Sequence, residues 1–301
     1  MKIPYRWLLL ATAIVFSAAF ARQATAQPVS TPAPFVPPGL QPSLMGTIGE
    51  CNNPQPGGPC KNASTLVQLD PNTGAVIRTI GPVGFTVNGL AWDNTTKTLF
   101  ATTSIGCGPA SPVCPFHGLI TIAPNGRGTP VNPAAVNFGI EGTDVPIRAL
   151  AVDVFGHMVA SYPIPPGPST EVDDTYVRIN KTTGIATEFP NTTINTAQNG
   201  ISFGEFNLLW NVNRPDPATG LQNAILLNPF TGKPLFFQPL NPPTLAALGD
   251  FNPVSNLYYG LNFTGFAGGT TSIVVIDVPN GKVLKSTPTV NDLHTLGWVD
   301  K

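Results

Sequence analysis

The chain has 301 residues, of which 30 are Gly and 34 Pro, together about a fifth. Only 10% are charged, against roughly 25% in an ordinary soluble domain, and the formal net charge is −1. No Lys/Arg cluster exists to neutralise phosphates, which excludes a nucleic-acid binder with a basic footprint. Gly and Pro at this density break helices, and 42% hydrophobic residues suffice for a core, so a helical or a disordered chain is excluded as well. A protein of strands and turns remains.

The N-terminus reads as an export signal over residues 1–26. Lys2 and Arg6 flank a basic start, Trp7 to Ala21 is almost wholly apolar, and Ala24-Thr25-Ala26 offers the small-x-small pattern of a cleavage site. The apolar run is short for a bilayer span, and no other run reaches that length, so no membrane span is expected after cleavage. The expected location is secreted or periplasmic. Residues 27–42 are Pro-rich and read as an extended spacer, leaving one domain over 43–301.

That domain is repetitive. Asn88-Gly-Leu-Ala-Trp-Asp93, Arg148-Ala-Leu-Ala-Val-Asp153, Asn199-Gly-Ile-Ser-Phe-Gly204, Ala246-Ala-Leu-Gly-Asp-Phe251 and His294-Thr-Leu-Gly-Trp-Val299 share one short apolar pattern. A second strand follows the first four, at Thr98 to Ser104, His157 to Ser161, Leu208 to Asn213 and Asn256 to Asn262. A third segment recurs as Leu66-Val-Gln-Leu-Asp-Pro-Asn-Thr-Gly74, with counterparts ending at Gly126, Gly184, Gly232 and Gly281. Alternating apolar residues make a strand, Asp or Asn opens a turn by accepting backbone amides, and Gly takes the positive-φ position before a fourth strand. The glycines are spaced by 52, 58, 48 and 49 residues, and four strands per roughly 50 residues is the signature of a propeller blade. The last inner strand lacks a second strand, and Ser43-Leu-Met-Gly-Thr-Ile-Gly49 aligns with Thr98-Leu-Phe-Ala-Thr-Thr-Ser104 to supply it. The expectation is an all-β, five-bladed β-propeller of four-stranded antiparallel blades, one blade closed by the N- and C-terminal strands.

The cysteines fall as Cys51 and Cys60, then Cys107 and Cys114, in equivalent Pro- and Gly-rich loops of consecutive blades. In an exported chain two local disulfides stapling those loops is the expected reading. Spacings of nine and seven do not suit a four-thiolate zinc site.

The strand–DPxTG–strand units with GLAxD inner strands resemble extracytoplasmic β-propeller repeat proteins related to the NHL, YVTN and SMP-30/gluconolactonase-like families. The resemblance runs from about Ser43 to the C-terminus and implies architecture more than activity, because these families include binders, scaffolds and lactonases. The lactonase branch implies a divalent metal held in the central channel by Glu, Asn and Asp.

Innermost strands converge on a central tunnel. Aligning Leu90, Leu150, Ile201, Leu248 and Leu296 puts Asn88, Arg148, Asn199, Ala246 and His294 at one mouth. The four polar ones are the candidate ligand-binding residues: Arg148 suits an anionic group, Asn88 and Asn199 would orient it, and His294 could work as acid or base. A polar ring beside a wet tunnel explains them equally well. No metal or other cofactor is expected from this ring, which carries no carboxylate, although Glu141, Asp144, Glu205, Asp250 and Asp292 lie nearby in sequence. Asp93, Asp153 and Asp277 sit where turn capping explains them. Gly200-Ile-Ser-Phe-Gly204 matches the G-x-S-x-G pattern of serine hydrolases, but it falls in an inner strand, where Ser202 stands in for Ala91 and Ala151 as a small packing residue. The expected function is a monomeric binding or interaction module presenting a rim or channel site to a small ligand or a protein partner. The alternative is a lactonase-like hydrolase with chemistry in the channel, the only reading under which a divalent cation is expected.

Overall fold

A computed structural model describes residues 42–49, 63–103, 118–133, 138, 147, 149–163, 173–189, 194–195, 200–213, 215, 219–244, 246–263 and 270–300. The export-signal reading, most of the Pro-rich segment, the four cysteines, Arg148 and Asn199 lie outside the described residues.

The strands are β1 (Ser43–Ile48), β2 (Thr65–Leu69) and β3 (Val76–Pro82), then β4 (Val87–Asp93), β5 (Thr98–Thr103), β6 (Leu119–Ile122) and β7 (Gly128–Pro130). Next come β8 (Ala149–Val152), β9 (Met158–Pro163), β10 (Asp173–Ile179), β11 (Ala186–Glu188) and the two-residue β12 (Ile194–Asn195). The chain continues with β13 (Gly200–Phe203), β14 (Leu209–Val212), β15 (Asn223–Leu227) and β16 (Pro234–Pro239). It ends with β17 (Ala246–Phe251), β18 (Tyr258–Phe263), β19 (Thr271–Asp277), β20 (Lys282–Pro288) and β21 (Leu293–Val299). They form five antiparallel sheets with sequential order, and β12 adds to the edge of the β8–β11 sheet by pairing with β10. The exception to sequential order is the first sheet, β21-β1-β2-β3, which joins the two ends of the chain. Inner strands meet in the cycle β4, β8, β13, β17, β21 and back to β4. The fold is a five-bladed β-propeller, closed as its repeats predict.

The repeated turns work as their residue types require. Oδ1 of Asp70 accepts the Asn72 amide at 2.8 Å, and Oδ1 of Asn180 and Asn228 accepts those of Thr182 and Phe230 at the same distance. Gly74, Gly126, Gly184, Gly232 and Gly281 close these turns at φ between 64° and 90°, a region that disfavours any side chain.

Burial is divided among five wedges, one between each pair of neighbouring blades. Met45 and Leu66 meet Leu90, Leu99 and Ile120; Phe100 and Leu119 meet Leu150, Met158 and Val177. Ala151 and Tyr176 meet Ile201, Leu209 and Ile225; Trp210 and Val212 meet Phe251, Tyr258 and Val274; Tyr259 and Ile273 meet Leu44, Leu293 and Trp298. Each sheet is buried on both faces, which is why its middle strands read as near-continuous apolar runs, while β3 and β16 on the perimeter are largely exposed. Polar bonds cross the same interfaces: Asn211 donates to the Tyr176 hydroxyl at 2.8 Å.

Candidate functional site

The channel is not open along its length. Leu90, Leu150, Ile201, Leu248 and Leu296 close around a void of about 10 Å³, which Asn88, Gly89 and Thr295 also line. That is room for about one water. Asn88 is therefore placed beside this constriction, and His294 sits half-buried two residues before Leu296 on β21. Ala246 begins β17.

At the C-terminal ends of the inner strands the channel opens into a cup of about 500 Å³. Its wall is built from the ends of the inner strands and the turns that follow four of them, so every blade contributes. Trp92 and Asn94 come from blade two, Asp153 and Val154 from blade three, residues 202–207 from blade four, residues 250–254 and Asn256 from blade five, and Trp298 and Asp300 from the closing strand.

Asp250 lies at the floor, half-buried. Its Oδ1 accepts the Ser202 hydroxyl through a short hydrogen bond and the Phe251 amide at 2.9 Å, and its Oδ2 accepts the Trp298 amide at 2.8 Å. One carboxylate thus ties β13, β17 and β21 together. Removal from water outweighs these three donors and raises its pKa to about 6. Ser202 is accordingly more than a packing residue: it also accepts the Phe251 amide at 3.2 Å, and it sits in a strand with no nucleophile elbow.

The rim is braced turn to turn. The Val154 amide donates to Asn207 Oδ1 at 3.1 Å, the Glu205 amide donates to Asn256 Oδ1 at 2.6 Å, and Asn256 Nδ2 donates to Glu205 Oε2 at 3.3 Å. Phe206, Asn207 and Asn256 hold left-handed backbone at φ 57°, 59° and 53°. For a bulky residue such as Phe206 this is strained, and strain of that kind persists where surrounding contacts over-determine it, commonly at functional sites. The brace leaves Phe206 82% exposed at the mouth, beside exposed Val154 and Val254.

Capping accounts for Asp93, Asp153 and Asp277. Asp153 accepts the Phe155 and His157 amides and the His157 ring, and Asp277 is bonded by Asn280. Asp93 accepts both the amide and the hydroxyl of Thr95 and the hydroxyl of Thr96, and is fully buried. It also forms a short ion pair with Lys181 of the next blade. Burial alone would raise its pKa, but Lys181 and the threonine donors bring it down to about 2.

From these two acids an acidic optimum of stability is expected. Asp93, lowered, contributes above pH about 4, and that contribution is lost as pH falls through about 2. Asp250, raised, favours the fold below pH about 4, and its contribution is lost as pH rises through about 6. Each swing is on the order of 2–3 kcal/mol. Urea unfolding should show a maximum from these groups near pH 4, and an Asp250→Ala variant should lose the decline between pH 4 and 7. An unchanged decline in that variant would assign it elsewhere.

Glu205 and Asp250 stand among the acids near the ring in sequence, but the repeat offers a sharper signal. Asp250 occupies the position held by Trp92, Val152, Phe203 and Trp298 in the other inner strands, and Ser202 the position of Ala91 and Ala151. A polar residue that breaks a repeat's apolar column marks the pair.

The metal implied by the family resemblance does not fit the described residues. Among them no group of three or more His, Cys, Asp or Glu side chains is placed to hold an ion, and the Asp250 oxygens already accept three protein donors. Among the described residues no helix is long and apolar enough to cross a membrane.

No protein-family model matches the sequence, and no curated protein matches it. Solved structures with related shape include a gluconolactonase from Xanthomonas campestris, at 13% identity and TM-score 0.46 over 83% of this chain and 77% of that one. TolB from Acinetobacter baumannii gives 9% and 0.46 over 100% and 75%. An α-L-arabinofuranosidase from Clostridium thermocellum gives 11% and 0.47 over 79% and 87%. Likeness at this level assigns no activity, and the propeller stands on its own strand pairing.

Proposed function

We propose that this chain is an exported binding propeller whose ligand sits in the cup at one mouth of the ring. The observation that carries the reading is the cup itself: about 500 Å³, within the usual range of small-ligand sites, on the channel axis and shut below by five aliphatic side chains. A closed floor suits capture from one side. The export half of the reading rests on the sequence of residues 1–26.

Backbone amide NMR with a mixed set of small fragments tests it. Saturable shifts should cluster at Trp92, 152–154, 203–207, 250–256 and Trp298. Val154→Arg, at an exposed rim position, should leave stability within about 0.5 kcal/mol and remove those shifts. Shifts gathered instead at Asn88, Gly89 and Thr295 would move the site to the opposite mouth.

A lactonase-like hydrolase is the second reading, favoured by Asp250 alone: an acid with pKa raised to about 6 at a cavity floor is suited to proton transfer near neutral pH. Under that reading the protein opens simple aldonolactones and Asp250→Asn lowers the rate by about 100-fold or more. Lactone opening no faster than in buffer would remove it.

A further inference from the structure

The charges and hydrogen bonds of the cup narrow its ligand. Its charged lining residues are Asp153, Glu205, Asp250 and Asp300, and no Lys, Arg or His lines it among the described residues. The basic side chains on the adjoining turns are already bonded to turn residues: Lys97 to Asn94, Lys181 to Asp93 and His157 to Asp153. The amide oxygens that would serve a neutral ligand are largely consumed. Asn207 accepts Val154, Asn252 accepts Val254 and Ser255, and Asn256 accepts Glu205.

The carboxylates differ in what they have left to offer. Asp153 is spent on its own turn, whereas Glu205 receives a single long bond from Asn256 and Asp300 has no hydrogen bond or ion pair with any described residue. Ionised carboxylates only accept, so the missing partner must donate, and charged donors make the strongest such bonds. An anion would face four acids with no compensating cation.

The walls supply a second, independent observation. Trp92, Phe203 and Phe206 are among the residues that line the cavity. Trp298 also lines it, is only 4% exposed, and its indole N–H, a donor with no hydrogen-bond partner among the described residues, calls for an acceptor elsewhere on the ligand than its charged head. Aromatic faces attract cations, more strongly where water is excluded.

Resting on the reading of the cup as a ligand site, we propose that it takes a small organic cation: an ammonium or guanidinium head drawn by the cup's carboxylates, of which Glu205 and Asp300 have the most acceptor capacity left, with an apolar body against Trp92, Phe203 and Phe206. Around Asp250 stand Ser202 from β13, Tyr258 from β18 and the Trp298 amide from β21; the other titratable lining groups are Asp153, Glu205 and Asp300. Each is anionic or neutral, so ionising Asp250 adds attraction for a cation and affinity rises with pH through about 6.

The test uses three near-isosteric probes, benzylamine, benzyl alcohol and benzoate, titrated into the full domain by NMR at several pH and salt values. Benzylamine should bind at least about tenfold more tightly than benzyl alcohol, with benzoate weakest. Its affinity should rise from pH 5 to 7 and fall several-fold as salt is raised to about 0.5 M. Glu205→Gln and Asp300→Asn should each weaken benzylamine by about two- to fivefold and leave benzyl alcohol unchanged. Equal affinities for amine and alcohol would overturn the charge assignment while leaving the cup as a binding site. Tightest binding of benzoate would overturn it outright, and saturable binding of none of the three at the cup would overturn both readings.

Discussion

Removing residues 1–49 is expected to abolish the folded state. That deletion takes away β1, which pairs with β21 from Ser43–Val299 to Ile48–Leu293 on one side and with β2 from Leu44–Leu69 to Ile48–Thr65 on the other. Without it β21 and β2 each lose a row of backbone partners, the Thr47–Thr295 hydroxyl pair is lost, and the wedge holding Leu44, Leu296 and Trp298 opens. A ring needs every interface, so the loss compares with the whole folding free energy of a domain, about 5–15 kcal/mol. Far-UV circular dichroism and thermal melting measure it. A synthetic peptide spanning residues 42–49 should restore part of the native signal when added back. A point variant probes the same contact: a Cβ on Gly46 would lie 2.7 Å from Leu293 Cδ1 and 2.9 Å from the Thr295 carbonyl, so Gly46→Val should cost about 3 kcal/mol. Native melting of the truncated chain would refute the closure.

Lys181→Met is expected to cost about 3 kcal/mol at neutral pH. Asp93 is fully buried, and the Lys181 side chain is 24% exposed, so removing the ammonium strands a carboxylate away from water. Gly156 roofs the pair, since a Cβ there would lie 2.6 Å from both Lys181 Nζ and Thr95 Oγ1. The pair also joins the β4 end of one blade to the turn after β10 in the next. The penalty should shrink below pH 4, because a stranded Asp93 takes up a proton more readily than the paired one. Adding Asp93→Asn should recover part of the loss by keeping an acceptor for Thr95 and Thr96 without the charge. A pH-independent penalty, or no penalty, would mean that the pair contributes little.

The fold was legible because its physics is local and repeated. Asp70, Asn180, Asn228 and Asp277 each open a turn that a glycine closes, Ala123 takes that place in the second blade, and the spacing of the five turn glycines counts the blades. Even the closure is visible, since Ser43–Gly49 fits the second-strand pattern that the last inner strand lacks. The site was less legible because a cavity depends on where side chains from four turns and five inner-strand ends converge. The ring at Asn88 and His294 follows from the repeat alignment, but the same alignment cannot say at which end of the inner strands the channel widens. Leu90, Leu150, Ile201, Leu248 and Leu296, the very residues used to align the repeat, are those that shut the channel between the two ends. Asp250 and Ser202 were visible as departures from the apolar column, yet the bond between them comes from the stagger of neighbouring inner strands, which no single repeat encodes.

The cup brings together what the rest of the chain spends elsewhere. With only 10% charged residues, the ring still places four carboxylates around one axial cavity and no described cation among them. A crystal structure of the protein grown with benzylamine tests that arrangement most directly. The ammonium is predicted in the cup against Glu205 or Asp300, with the phenyl ring against Trp92 and Phe203; an empty cup with the amine bound at the Asn88 mouth would contradict the account.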